Sequence, residues 1–145
     1  MILALLRIDC SSWLCNGEWA KPVRRSVFID EQGIDESEEW DEHDAHCLHA
    51  LAWWKEEVVG TARLLPEGKI GRMAVLPQYR NKGIGSAMLC ALLAIAREKK
   101  MPVVRLSAQQ QAVEFYRRHG FVPEGVPHEE VGIAHQWMVL DLTSL

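Results

Sequence analysis

Residues 80–89, RNKGIGSAML, set Arg80 and Lys82 directly before Gly83 and Gly85 and the start of an apolar run. A strand that turns through glycine into a helix exposes backbone N–H groups at the positive end of the helix dipole, and the missing Cβ atoms let a ligand approach closely. The favoured ligand of such a turn is a phosphate or pyrophosphate. Two common phosphate turns do not match: GIGSA lacks the lysine of a P-loop, and Met88 stands where a dinucleotide fingerprint needs its third glycine. A tight turn with no ligand is the structural alternative.

Two other clusters could do chemistry. In HDAHCLH, His43, His46, Cys47 and His49 are metal-ligand types, but on a strand Cys47 and His49 share a face while His46 points away, and no second cluster completes a zinc set. No metal is expected. The segment 30–44 holds nine of the 20 acidic residues and no Lys or Arg, so the rest of the chain carries 16 basic against 11 acidic side chains. That split suits an anionic ligand in one place and a cationic one in another; a solvated acidic loop is the plain alternative.

These residues need elements to position them. ILALLRI reads as an opening strand with Ser11 and Ser12 as turn or cap, and Val23, Val27, Phe28 and Ile29 follow at helical spacing, with Pro22 in the first turn and Gly33 as the stop. CLHALAWW and VVGTARLL form a hairpin across KEE, and IGRMAVL adds a third meander strand ending at Pro77. GIGSAMLCALLAIAREKK is a helix apolar on nearly every face, predicted to be covered on two sides. VVRLS, the helix QAVEFYRRHG ended by Gly120, and strands in FVPEG and HQWMVLDL complete the chain. The order β-α-β-β-β-α-β-α-β-β predicts one α/β (α+β) domain over residues 1–145, with a mixed central sheet of about 6–7 strands flanked by helices. The strand, helix, strand around the glycine turn reads as a parallel crossover.

MAVLPQYRNKGIGSAML resembles the acyl-CoA-binding segment of the GNAT superfamily of N-acetyltransferases through Met73, Ala74, Val75, Pro77, Arg80, Gly83 and Gly85. LSAQQQAVEFYRRHGF is similar to that family's later motif through Ala112, Phe115, Tyr116, Gly120 and Phe121, and VRRSVFIDEQG and GIAHQWMVLDL resemble its ElaA/YjcF-like branch. One departure is Gln109, where many members have Asn; the carboxamide is kept.

The resemblance implies an N-acetyltransferase that moves an acetyl group from acetyl-CoA to a primary amine by direct attack. The donor would lie in a V-shaped gap between the strand of Met73 to Val75 and that of Val103 to Ser107, with Met73, Ala74, Val75 and Gln109 on its pantetheine arm and Arg80, Asn81, Lys82, Gly83, Ile84, Gly85 and Ser86 around its pyrophosphate. Tyr116 would be the general acid for the departing thiolate. Glu31 would be the base and, with His135, would border the acceptor; His46, Asp44 and His135 compete for the base's role. The acidic segment would then attract a cationic amine, a small molecule or a peptide side chain. A non-catalytic acyl-CoA sensor or interaction module on the same fold is the other reading, and a free sheet edge allows a homodimer.

An acidic chain without a basic aromatic surface pattern argues against nucleic acid. Arg7 and Asp9 interrupt the apolar start too early for a signal peptide, no run is long enough to span a membrane, and four cysteines without regular spacing form no disulfide framework, so the expectation is a cytoplasmic protein.

Overall fold

The computed structural model describes residues 5–143; the first residues of the predicted opening strand lie outside them. Strand β1 covers Leu6–Ser12. The Ser12 side chain accepts a hydrogen bond from the Cys15 amide at 3.3 Å and so caps helix α1, Trp13–Arg24. Helix α1 therefore starts well before Pro22, which lies inside it. Its buried stripe, Asn16, Gly17, Ala20, Val23 and Arg24, has helical spacing but is mostly small or polar, so hydrophobic periodicity does not reveal it. Past Pro22, which can donate no backbone hydrogen bond, the chain widens into a π-helical segment, Arg25–Glu31. Gly33, at φ +71°, ends the run as expected.

Asp35 caps a short helix α2, Glu36–Glu39, and a 3-10 turn follows over Glu42–His46. The meander is β2 Leu48–Trp54, β3 Glu57–Leu64 and β4 Lys69–Val75. Then come α3 Ile84–Glu98, β5 Val103–Gln109, α4 Val113–Arg118, β6 Val122–Pro123, β7 His128–Glu130 and β8 Ile133–Asp141. Eight strands form one mixed sheet in the order β1-β2-β3-β4-β5-β8-β6, with β7 also on β8. The strand predicted in FVPEG is β6, of two residues; the additional strand is β7, whose three residues are too few to show alternation.

Helices α3 and α4 cover one face of the sheet, where Met88, Leu92, Leu106, Phe121 and Met138 form the main core. On the other face α1 and the π-segment set Val23, Val27 and Phe28 against Ala74. Helix α3 is covered on one side, not two: Ile84, Met88, Leu89, Leu92, Leu93 and Ala96 are buried, while Cys90 and Ala94 face water. The exposed apolar positions are small, which keeps the cost of their hydration low. No helix of the described residues is long and apolar enough to cross a membrane.

Candidate active site

β4 and β5 are parallel neighbours joined by α3, yet they pair only at Lys69↔Arg105 and Ile70↔Leu106. Beyond that point they diverge and open the sheet. Gly68 sits at the closed end: its carbonyl accepts from the Arg105 amide at 2.9 Å, and at φ +95° a Cβ there would lie 2.7 Å from the Val103 oxygen. On β4 an extra residue is taken up opposite β3, between the pairs Arg63↔Gly71 and Thr61↔Ala74, and Arg72 adopts φ +51°. The bulge re-aims two side chains at once. Arg72 reaches the α2 segment, and Met73 meets Tyr116.

At the open end the chain turns through Asn81 (φ +62°) and Gly83 (φ +83°) into α3, whose N-terminus has no side-chain cap. Its amides therefore remain open to an anion. Gly85 faces the Phe115 ring of α4, where a Cβ would make an ordinary contact at 3.4 Å, and Ser86 Oγ lies 2.9 Å from His119 Nε2. Lys82 is exposed. Arg80 is held in place: its Nε donates to the Val75 carbonyl at 2.9 Å, and its two terminal nitrogens donate to Glu31 at 2.8 and 2.6 Å.

The gap contains a cavity of about 190 Å³ whose walls include Met73, Gln109 and Tyr116, together with Ser107, Glu130 and His135. Tyr116 is 8% exposed, edge-on to Phe115 and Phe121, and donates to Met73 Sδ at 3.5 Å. Burial pushes its phenol up to about 12, so it keeps its proton at neutral pH. His135 Nδ1 lies 2.8 Å from the Ile133 carbonyl. A carbonyl can only accept, so Nδ1 carries a proton and, in the neutral ring, Nε2 keeps its lone pair.

Glu31 is not part of the cavity wall. It stands at the rim, and the hydrogen bonds and charge of Arg80 hold its carboxyl below the ordinary range, which weakens it as a base. Its neighbour Gln32 exchanges two amide hydrogen bonds with Gln109, at 2.8 and 3.2 Å, so residues 31 and 32 tie the π-segment to both lips of the opening.

Most of the acidic segment's buried charge is neutralised. Arg24, 1% exposed, donates to Glu39 and Asp44 at 2.7 Å each, and Arg63 donates to both oxygens of Asp41 at 2.7 and 2.9 Å and to Asp44 at 2.8 Å. Arg72 completes the set against Glu39 and Asp41. Burial pushes Glu39 up; at Asp41 burial acts in the same direction but is outweighed by Arg63 and Arg72, and the carboxyl falls to about 2. Asp44, inside this network, is not placed to act as a base. His46 is not on the cavity wall; it lines another pocket with Leu64 and Met101. Among the described residues no group of three or more His, Cys, Asp or Glu side chains is arranged to hold a metal ion.

The sequence pattern pointed to neither Ser107 nor the β7 residues His128 and Glu130, which meet on the sheet face opposite Tyr116. Nothing in HEE marks them, because their proximity to β5 comes from the return of β8.

Residues 21–142 match the acetyltransferase (GNAT) domain family. YjcF of Bacillus subtilis, an N-acetyltransferase by name, is 34% identical over 117 residues, covering 73% of this chain and 84% of its own. The crystal structure of Escherichia coli ElaA superposes with a TM-score of 0.82 at 26% identity, over 92% of this chain and 98% of that one. An acyl-CoA N-acyltransferase from Pseudomonas aeruginosa gives a TM-score of 0.81 at 27% identity, with the same coverage.

Proposed function

The chain belongs to the GNAT acetyltransferase family and is an acyl-CoA-dependent N-acetyltransferase, and from that premise we propose that it transfers an acetyl group from acetyl-CoA to a primary amine by direct attack, the whole chain acting as one catalytic domain. The observation that carries this reading is the position of Tyr116: a buried, protonated phenol on the wall of the opening between β4 and β5, across from a polar face that contains His135.

The α3 turn supports a place for the donor's pyrophosphate on the amides of Asn81 to Ser86, with Arg80 and Lys82 beside it. Backbone groups of Met73, Ala74 and Val75 would hold the pantetheine arm, and Gln109 would offer its carboxamide. His135 is the better-placed base, since its Nε2 lone pair belongs to a side chain on the cavity wall, whereas Glu31 serves Arg80 at the rim. The ammonium proton passes to His135 Nε2, the freed lone pair forms the C–N bond, and the carbonyl electrons move to oxygen. On collapse the C–S bond breaks and the thiolate takes the Tyr116 proton. The second proton leaving nitrogen restores the phenol through solvent.

Free CoA released from acetyl-CoA across a panel of primary amines tests the function. Tyr116→Phe is expected to lower kcat by about 10²-fold, the scale of general acid catalysis, with KM for acetyl-CoA within about threefold. Equal turnover in wild type and variant would remove Tyr116 from the chemistry.

A further inference from the structure

Most of the charge around the cavity is spent on internal pairs, but one carboxylate is arranged differently. Glu130 Oε2 accepts from Ser107 Oγ and lies 2.6 Å from His128 Nε2, which is itself 3.3 Å from Ser107 Oγ. Both contacts fall on the same oxygen, and no arginine is among the partners. The site is tightly built. Ser107 is on β5 directly opposite Trp137, and the His128 ring stacks between Trp137 at 5.9 Å and His135 at 6.1 Å.

The turn that delivers Glu130 is strained to do so. Val131 (φ +46°) and Gly132 (φ +77°) form a two-residue hairpin that fixes the register Glu130↔Ile133 and His128↔His135. A β-branched residue at positive φ is disfavoured, and it persists where the surrounding structure over-determines it. Partial burial disfavours the charged form of Glu130, yet Ser107 and His128 outweigh it and keep the group an anion.

We propose that Ser107, His128 and Glu130 form the ammonium site of the acceptor, with Glu130 as the residue that selects a small aliphatic primary amine in its charged form. This rests on the acetyltransferase reading above. Glu130 Oε1 receives the incoming ammonium beside His135, which then takes one of its protons. The cavity of about 190 Å³ restricts the acceptor to a compact group. In the acidic segment, Glu39, Asp41 and Asp44 are already paired with Arg24, Arg63 and Arg72 and so are not free to hold a second ammonium.

The test compares propylamine, charged at neutral pH, with hydroxylamine, uncharged there, as acceptors for wild type and Glu130→Gln. The site predicts that Glu130→Gln raises KM for propylamine about tenfold or more, the usual loss for a charge-assisted hydrogen bond, while KM for hydroxylamine and for acetyl-CoA stays within about threefold. An equal change for both nucleophiles, or none for either, overturns it, because a purely structural role would not distinguish charge. Calorimetric titration of propylamine into the CoA-loaded protein gives a second readout: binding lost in Glu130→Gln supports the site, and equal binding, or none in wild type, overturns it. If acetyl-CoA itself fails to bind, the acetyltransferase reading fails first; if it binds and turns over without charge selectivity, only the Glu130 assignment fails.

Discussion

The two walls of the opening have different origins. The wall with Tyr116 takes Ala112 and Tyr116 from one short run, with the α3 turn, residues 80–86, as a second run at the open end, whereas the opposite wall draws Gln32, Glu39, Arg63, Arg72, Ser107, Glu130 and His135 from seven separate segments. A local run carries its geometry with it: Asn81 and Gly83 set the turn, and Tyr116 follows from its place on α4. The other wall exists only when the whole sheet has closed. Damage to the first should appear mainly in turnover, and damage to the second also in stability.

Arg24→Met breaks that comparison most directly. It strips Glu39 and Asp44 of their shared 2.7 Å partner and leaves them only Arg72 and Arg63, and loss of one member of a buried pair costs about 3–5 kcal/mol, read as a fall in the denaturant midpoint. Tyr116→Phe should leave that stability within about 1 kcal/mol of wild type, because among the described residues the phenol's only polar contact is with Met73. If the two variants lose equal stability, the walls are not separable.

Gly68→Ala tests the hinge they share. The positive φ and the nearby Val103 oxygen predict a cost of about 1–3 kcal/mol and a weaker hold on acetyl-CoA, since the splay of β4 from β5 starts there. A neutral effect on both would detach the opening from its closed end.

Acid sharpens the second wall. Asp41 has a folded value of about 2 against an ordinary 3.8. A depressed carboxyl contributes stability that is fully present above the ordinary value and is lost as pH falls through the folded one. Stability should therefore decline between about pH 4 and about pH 2, and Asp41→Asn should flatten that decline in acid-unfolding curves.

The smallest effect concerns the rim. Glu31→Gln should leave the pH profile of kcat unchanged and tighten acetyl-CoA binding by up to about fivefold, because it frees Arg80 from an exposed pair worth at most about 1 kcal/mol. A shifted profile would return Glu31 to the role of base.

The same contrast explains what was legible in the sequence. The glycine turn, α3, the meander and the two motifs around Ala74 and Tyr116 were readable because each is a short run with its own spacing. How the acidic segment's charge is used was not legible, because Arg24, Arg63 and Arg72, the partners of Glu39, Asp41 and Asp44, sit on α1, β3 and β4, and only folding brings these charges together. Glu130 was invisible for a related reason: β7 has three residues and takes its meaning from the Val131–Gly132 turn and from Ser107 across the sheet. The start of α1 was missed because Pro22 resembles a first-turn proline, while the true signal was Ser12 before a stripe of small and polar residues.

The early end of β4–β5 pairing also makes the sheet an unfinished one. Past Ile70 and Leu106, two strands inside the fold face each other as open edges, the kind of backbone that elsewhere invites another chain. A donor arm that carries amides would close this seam as a strand does, so its binding adds to the folding equilibrium by mass action, about 2.7 kcal/mol at a hundredfold excess over Kd. Resistance to heat and proteolysis would then rise and fall with the supply of acyl donor, and the protein would be most durable when it has work to do.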